Sequence, residues 1–236
     1  MRNNFKIGEV RSIYKNVLKF RRFRLLSQQD TKPYQLISRH FGYWSSENHE
    51  NRYAFEIALD ALGGKPANIV ETGTSAWGTD STRIWDTYVR KFGGSLHSVD
   101  IRGAASRALL LQTSRNTRLV ICDSVKFLAE NPMPETDLYF LDSWDLDFSN
   151  PIPSALHGMM EFMAIKDQLK PGTLLFVDDT PSKLIFEKRN LTKDDSKFEQ
   201  LFNCLPGKGS LIKKYLDENI PHEVLHHGWS FLARIK

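Results

Sequence analysis

The sequence predicts a doubly wound α/β fold, with a seven-stranded, mostly parallel sheet that finishes in an antiparallel pair of strands. Three observations lead to this fold class. Five short apolar segments alternate with four helical patterns between residues 68 and 178. Each of these apolar segments ends on an acidic residue. The last two strand patterns are joined only by His227-Gly228, and so short a connection requires antiparallel strands.

Length and composition indicate one large globular domain. The chain has 236 residues, of which 41% are hydrophobic and 25% are charged. No apolar run approaches the roughly 18 residues of a membrane-spanning helix, and charged residues interrupt the N-terminal apolar pattern, which argues against a signal peptide. The two cysteines, Cys122 and Cys204, cannot form a disulfide framework. We therefore expect a soluble, cytoplasmic protein.

The positive charge is concentrated at the N-terminus. Residues 1–24 contain eight basic side chains and one acidic side chain, and apolar residues recur among them at roughly helical spacing. This pattern predicts a helix whose apolar stripe packs on the domain or on a second subunit. In the second case the protein would be a homo-oligomer. Contact with a membrane surface or a nucleic acid is the alternative. We treat residues 1–46 as a helical and irregular extension, and residues 47–236 as the main domain.

The main domain is predicted to begin with a helix over Glu47–Leu62 that ends at Gly63-Gly64. The alternating part follows, with strands at 68–71, 95–100, 118–122, 138–142 and 173–178 and helices at 79–92, 104–115, 125–130 and 154–169. Residues 181–210 are charged and irregular apart from a helix at 196–203, and we predict a substrate lid there. A helix at 211–218 precedes the final strands at 223–226 and 229–235.

The acidic strand ends predict where a ligand binds. In open α/β sheets, ligands bind at the carboxyl ends of the strands. A single acidic residue there is commonly a helix cap or a turn residue. Five strands that all end on carboxylates favour a ligand site instead, and these residues are Glu71, Asp100, Asp123, Asp142 and the pair Asp178-Asp179.

The turn after the first strand is not a dinucleotide-binding turn. That fingerprint needs three glycines around a pyrophosphate, but only Gly73 and Gly78 are present here. The acidic Glu71 would repel a pyrophosphate, and it suits a ligand with cationic amino and sulfonium groups. Asp100 lies 27 residues after Gly73, where a carboxylate can accept hydrogen bonds from ribose hydroxyls. Asp123-Ser124 could accept a hydrogen bond from an adenine amino group.

The run from Val70 to Thr82 resembles the first cofactor motif of class I S-adenosylmethionine-dependent methyltransferases. The runs 141–147, 154–161 and 169–179 are similar to bacterial sugar and natural-product O-methyltransferases of the macrocin O-methyltransferase and cephalosporin hydroxylase type, and the similarity covers about residues 47–180. The resemblance implies a Rossmann-like fold and methyl transfer to a hydroxyl of a small-molecule or saccharide acceptor. It implies that S-adenosylmethionine is bound by Glu71, Thr72, Gly73, Thr74, Ser75, Asp100, Asp123, Ser124 and Asp142.

The resemblance also implies a magnesium ion. Members of the group hold Mg²⁺ with an acid after strand four and an acidic pair after strand five, which correspond to Asp142, Asp178 and Asp179. Bound Mg²⁺ would orient the acceptor and lower the pKa of its hydroxyl. Catechol-type relatives carry a lysine base three residues after the first acid, where this chain has Asp145. Asp145 and His157, together with Asp142, are therefore the catalytic candidates.

Other functions stay open at this point. They are a nicotinamide-dependent oxidoreductase, a non-catalytic binding module with a methyltransferase-like fold, and a nucleic-acid methyltransferase. The chain has no Asn-Pro-Pro-aromatic signature of base methylation, so a nucleic-acid substrate is not favoured. We expect Trp77, Trp144 and Trp229 to line either the pocket or the core, and His226-His227 to be structural.

Overall fold

The computed structural model describes residues 18–75, 78–191 and 196–236. Seven strands form one sheet: β1 (Ala67–Thr72), β2 (Gly94–Asp100), β3 (Thr117–Ile121), β4 (Leu138–Leu141), β5 (Leu174–Val177), β6 (His222–His227) and β7 (Phe231–Ile235). Their spatial order is β3-β2-β1-β4-β5-β7-β6. The first five strands are parallel, and β7 pairs antiparallel with both β5 and β6. The predicted fold class is confirmed.

Helices cover both faces of the sheet. They are α1 (residues 18–27), α2 (Pro33–Trp44), α3 (Arg52–Leu62), α4 (Ser81–Phe92), α5 (Gly103–Leu109), α6 (Ser124–Glu130), α7 (Ile152–Ile165), α8 (Lys183–Arg189), α9 (Ser196–Phe202) and α10 (Ser210–Asn219), with a short 3₁₀ turn at Lys166–Gln168. None of the helices in the described ranges has the combination of length and apolar character that crossing a bilayer requires.

The helix predicted over residues 104–115 is shorter in the structure, where α5 ends at Leu109. The side chain of Asp86, on α4, fixes the end of the loop between α5 and β3. Its carboxylate accepts hydrogen bonds from the Ser114 backbone N–H at 2.7 Å and from the Thr117 hydroxyl at 2.6 Å. These two bonds anchor residues 114–117 at the start of β3, which leaves too little chain to continue the helix.

An aromatic cluster fills the face of the sheet that α2, α3 and α4 cover. Phe55 lies at its centre, with ring centroids 5.1 Å from Trp85, 5.3 Å from Phe140 and 4.9 Å from Phe176. The opposite face has a second apolar cluster formed with α6, α7 and α10. Strand residues alternate between the two, as the period of a strand requires, so that Ile69 belongs to the first cluster and its neighbour Val70 to the second.

Helix α2 was not predicted, because residues 28–46 read as turn-rich and aromatic. Pro33 occupies its first turn, and the Gln35 side chain accepts hydrogen bonds from the backbone N–H groups of Thr31 and Lys32. The helix buries Leu36, Ile37 and Phe41 in the same apolar cluster as α3. The boundary drawn at residue 46 therefore runs through one continuous core.

The described end of the predicted N-terminal helix, α1, packs on α2. The ring of Phe23 is buried and lies 5.4 Å from the ring of Tyr43 and 5.7 Å from that of Trp44. Residues 1–17, which carry half of the basic side chains of residues 1–24, lie outside the described residues, as does Trp77.

The predicted lid at 181–210 is packed against the domain at Pro181, Phe186, Phe198 and residues 206–210, and most of its other described residues are exposed or partly exposed. Helix α8 buries Phe186, and Lys208 is almost completely buried. The Lys208 backbone N–H donates to the Asp179 carbonyl at 2.8 Å, and the Gly209 N–H donates to the Thr180 hydroxyl at 2.9 Å. The end of this segment is thus fixed to the chain that follows β5.

We predict that Phe55→Ala destabilises the fold by about 3–5 kcal/mol, because it removes a fully buried ring that contacts three others. Urea denaturation measures the change in unfolding free energy. Asp60→Ala, at an exposed position on the same helix, is the control and should stay within about 0.5 kcal/mol of the wild type. Equal losses in the two variants would show that Phe55 is not the centre of this core.

Candidate functional site

The carboxyl ends of the parallel strands open into two adjoining spaces. The larger is a cleft of about 420 Å³, lined by Ser75, Asp142, Asp145, Asp178 and Asp179 from the predicted set and by His49, Glu50, Asn51, Arg102, Leu146 and Trp229. The smaller, of about 80 Å³, is lined by Val99, Asp100, Ile101, Asp123, Ser124, Ser143, Trp144 and His157. The predicted site residues therefore lie at one edge of the sheet but divide between two spaces.

Gly73 forms the turn that follows β1. Its φ of +84° is in the left-handed region, and a Cβ at this position would lie 2.0 Å from the backbone oxygen of Asp142. Only glycine can bring the β1 turn this close to the end of β4. The next residue, Thr74, directs its backbone N–H to the Asp100 carboxylate at 3.0 Å. The turn thereby joins the ends of β1, β2 and β4.

Glu71 is completely buried beneath this turn. Its carboxylate accepts hydrogen bonds from the hydroxyls of Ser81 and Thr82, both at 2.6 Å, and from that of Ser98. Burial raises the pKa of Glu71 to about 7, although the three hydroxyl donors oppose the shift. The side chain is thus enclosed by the start of α4 and by β2, where it fixes the turn and has no open face toward a ligand.

The other residues of the turn make similar scaffold bonds. The hydroxyl of Thr74, which is also buried, lies 2.8 Å from that of Ser98. Thr72 is buried, and its backbone oxygen accepts the Asp142 N–H at 3.0 Å. Ser75 donates its N–H to Thr82 at 2.7 Å and is the member of the predicted 71–75 set that lines the larger cleft.

Asp100 at the end of β2 is held by Arg102. The Arg102 guanidinium contacts both carboxylate oxygens, at 2.9 to 3.2 Å, and the Arg102 backbone N–H adds a bond of 2.6 Å. The Asp100 side chain is nearly buried, whereas that of Arg102 is 61% exposed. The guanidinium is therefore the exposed partner of this ion pair, and a ligand that binds to Asp100 would compete with it for the carboxylate.

His157 lies in the smaller space, apart from the acidic cleft. Its Nε2 atom is 3.2 Å from the Ser124 hydroxyl and 3.7 Å from the Glu161 carboxylate, and its ring packs against Trp144 at 5.2 Å. Asp123 caps α6 by accepting the Lys126 N–H at 2.9 Å. Of the two base candidates, the structure places Asp145 in the cleft with Asp142 and His157 with Asp100.

A lysine lies within the predicted metal cluster. The Lys208 ammonium forms a short hydrogen-bonded ion pair with Asp142 and is 3.6 Å from the Asp179 carboxylate. Burial lowers the pKa of this amine, but the attraction of Asp142, Asp179 and Asp178 outweighs burial and raises it, so the lysine stays charged.

Asp178 and Asp179 have further hydrogen-bond partners. Asp178 accepts hydrogen bonds from the Asn51 side chain at 2.7 Å and from the Asp179 backbone N–H at 2.8 Å. Burial and the neighbouring Asp179 raise the pKa of Asp178 to about 6. Asp179 accepts the indole N–H of Trp229 at 2.9 Å.

The predicted magnesium ligands have other partners in the structure. In the described parts of the chain, no three His, Cys, Asp or Glu side chains are grouped as a metal ion would need them. The reason is that Asp142 and Asp179 direct oxygens at the Lys208 ammonium, while Asp178 is bound by Asn51. The residues present fit an ammonium ion rather than Mg²⁺.

Sequence reasoning missed Lys208, Arg102, His49 and Asn51. Lys208 stands between two glycines in a charged stretch, where nothing distinguishes a buried lysine from an exposed one. Arg102 follows a strand end by two residues, which is a detectable signal. His49 and Asn51 fell at the beginning of a predicted helix that in the structure starts at Arg52.

Solved structures share this fold. The MycE methyltransferase of the mycinamycin biosynthetic pathway, in complex with Mg, SAH and mycinamycin VI, superposes with a TM-score of 0.56 at 17% identity over 88% of this chain. A methyltransferase of Podospora anserina, PaMTH1, bound to SAH, gives 0.53 at 16% identity over 100% of this chain and 99% of its own. A Corynebacterium glutamicum protein gives 0.52 at 13% identity, with 88% and 90% covered.

This chain spans 55% of the MycE chain. Neither a scan against protein-family models nor a search of curated proteins found a match. At these identities the likeness concerns the fold alone.

We predict that Gly73→Ala destabilises the protein and weakens adenosylhomocysteine binding at least tenfold, since the new methyl group would meet the Asp142 backbone. Gly63→Ala is the matched control, because Gly63 has a φ of +68° and nothing within 4 Å of the added Cβ. The control should cost only the roughly 1 kcal/mol of the left-handed backbone. If the two variants behave alike in urea denaturation and ligand titration, the close approach at Gly73 is not what forms the turn.

A second prediction concerns the pH dependence of stability. Glu71 has a pKa of about 7 in the folded protein and an ordinary value of 4.5. Between these pH values the folded protein therefore binds more protons at this carboxyl than the unfolded chain does. Its contribution to unfolding free energy therefore falls by about 3 kcal/mol as the pH rises from 4.5 to 7. Glu71→Gln should lack this fall, whereas Glu218→Gln, at an exposed position, should keep it. If the unfolding free energies of Glu71→Gln and of the wild type change equally with pH over this range, the prediction is wrong.

Proposed function

We propose that this protein is an S-adenosylmethionine-dependent O-methyltransferase that acts on a hydroxyl of a sugar or a sugar-bearing metabolite. One observation carries the proposal. The glycine turn after β1, the carboxylate of Asp100 after β2 and an acidic cleft after β4 and β5 adjoin at one edge of the sheet. This is where α/β sheets bind their ligands.

The first part of the proposal concerns the cofactor. When bound, S-adenosylmethionine supplies an electrophilic methyl group on a cationic sulfur. The turn at Gly73 has no side chain, so a ligand can approach its backbone. Asp100 has two carboxylate oxygens that can accept hydrogen bonds from ribose hydroxyls. The smaller space between Asp123, Ser124 and Trp144 suits the adenine. The carboxylates of the adjoining cleft favour a positively charged ligand, and they disfavour the pyrophosphate of a nicotinamide dinucleotide.

The larger cleft is the proposed acceptor site. Its wall is mostly polar, with carboxylates, an imidazole and an amide, and an acceptor rich in hydroxyl groups can donate hydrogen bonds to it. Trp229 and Leu146 provide the apolar part of the wall. An acceptor held in this way would present its hydroxyl groups beside the space that we assign to the cofactor.

Asp145 is the proposed general base, since it is the catalytic candidate in the cleft whose carboxylate is exposed to an acceptor. Asp145 would take the proton that the acceptor hydroxyl loses on methylation. His49 would assist, because burial lowers its pKa and keeps the ring neutral. Its Nδ1 accepts the Asn51 N–H at 3.2 Å, so in the neutral ring Nε2 carries the proton and can donate to the acceptor oxygen.

Magnesium has no step in this reaction scheme, because Lys208 already provides the cation between Asp142 and Asp179. The neighbours support the rest of the proposal to different degrees. The MycE and PaMTH1 structures both contain SAH, and the MycE structure also contains Mg and mycinamycin VI. SAH binding is shared by both, and we extend it to this chain.

Calorimetric titration with adenosylhomocysteine and with NAD⁺ tests the proposal. We expect micromolar binding of adenosylhomocysteine and no measurable binding of NAD⁺; the reverse result would indicate an oxidoreductase. Incubation with S-adenosylmethionine and a panel of sugars and glycosides should then give a product heavier by one methyl group. A protein that binds adenosylhomocysteine but methylates only nucleic acid would overturn the acceptor assignment.

Asp100→Asn should weaken adenosylhomocysteine binding by about 10- to 100-fold, since charge-assisted hydrogen bonds to the ribose would be lost. Arg102→Ala is the matched control, because it removes the guanidinium but leaves the carboxylate. We expect the control to bind as tightly as the wild type or more tightly. An unchanged affinity in Asp100→Asn would remove this residue from the ribose role.

A further inference from the structure

Lys208 is a deeply buried cation beside the carboxylates of the larger cleft. Its side chain is 1% exposed, and its ammonium is enclosed by carboxylates from two strand ends, Asp142 after β4 and Asp179 after β5. Charged side chains are rarely buried so deeply unless they are paired. The pairing here is with two of the three carboxylates for which the sequence predicted magnesium.

The chain delivers this lysine by close backbone contacts. A Cβ on Gly209 would lie 2.5 Å from the Thr180 hydroxyl oxygen and 2.7 Å from the Val177 side chain. A Cβ on Gly158, in α7, would lie 2.7 Å from the Lys208 carbonyl oxygen and 3.5 Å from its Cγ. Segment 207–209 is therefore packed between β5 and α7 through positions that are glycine, and the lysine stem has a fixed path to the acids.

The ammonium takes up oxygens that a divalent cation would need. Mg²⁺ requires carboxylate oxygens at about 2.0–2.1 Å in octahedral geometry. In this cluster Asp142 Oδ1 is bonded to Lys208, Asp179 Oδ2 lies 3.6 Å from the same ammonium, and Asp178 Oδ1 is bonded to Asn51. A metal ion that used the same oxygens of Asp142 and Asp179 would have to displace the buried ammonium.

We propose that the Lys208 ammonium takes the place of a divalent metal ion in this protein. It is a positioning residue: it neutralises and orients the Asp142 and Asp179 carboxylates that line the cleft, so that the site is assembled without a metal. Removal of its charge would leave an acidic cluster with no cation. Such a cluster is the kind of oxygen-donor set that Mg²⁺ and Mn²⁺ bind.

The test is a titration with Mn²⁺ alone, followed by electron paramagnetic resonance, on the whole protein. We expect the wild type to bind no Mn²⁺ at this site up to millimolar concentration. Lys208→Ala should bind it at least about tenfold more tightly, since substitutions next to metal ligands change metal affinity by about 10- to 100-fold. Divalent ions should raise the melting temperature of Lys208→Ala and leave that of the wild type unchanged.

Two controls make the result specific. Lys213→Ala removes a partly exposed lysine of α10 that pairs with Asp217, and it should gain no Mn²⁺ site. The double variant Lys208→Ala with Asp142→Asn should lose the site that the single variant gains. Lys208→Gln keeps most of the side-chain volume and replaces Lys208→Ala if the latter does not fold.

Mn²⁺ binding by the wild type that Asp142→Asn abolishes would overturn the proposal, since the metal would then share the site with the lysine or displace it. Folded Lys208 variants that bind no Mn²⁺ would also contradict it. The inference concerns the cluster that we assign to methyl transfer, but the titration contains neither cofactor nor acceptor. Its failure and the failure of the proposed function are therefore separate results.

Discussion

The close approach of Gly73 to the backbone of Asp142 is the constraint on which the site depends. Parallel strands separate beyond the ends of their ladder, but here the turn after β1 and the first residue after β4 stay in contact. The Asp142 N–H donates to the Thr72 carbonyl at 3.0 Å, which extends the ladder by one residue. As a result, the turn that we assign to the cofactor and the carboxylate that we assign to the acceptor cleft cannot move independently.

Two buried carboxylates at this edge are stabilised in different ways. Glu71 is surrounded by hydroxyl groups, which donate hydrogen bonds but carry no charge, and its pKa is raised to about 7. Asp142 has a lysine ammonium beside it, which lowers the pKa of the carboxyl, but burial outweighs this attraction and raises the pKa well above its ordinary value. The first arrangement encloses the carboxyl in hydroxyl groups, and the second places a charged ammonium next to it.

The sequence was sufficient for the parts of the fold that have a periodic pattern. Buried strands such as Leu138–Leu141 are uninterrupted apolar runs, and their acidic ends converge because all five strands are parallel. It was not sufficient for Lys208, whose environment is set by Asp142, 66 residues away along the chain. The side chain of His157 could not be assigned to one of two adjoining spaces either, because its position on α7 is known only when that helix is packed.

Helix α2 shows a related limit. Its amphipathic pattern is as strong as that of α3, and the Pro33 start signal is present, but the helix lies in a short stretch that is bounded by turn-forming residues. Its place in the fold is determined by what it covers, which is the aromatic cluster around Phe55.

That placement has a consequence for any shortened form of the protein. A fragment that began at residue 47 would keep every strand of the sheet and every predicted site residue, and it would still have lost Leu36, Ile37 and Phe41 from the core. The face that they cover would then be an apolar patch open to water. Such patches drive self-association, so the fragment would tend to aggregate even with its site complete.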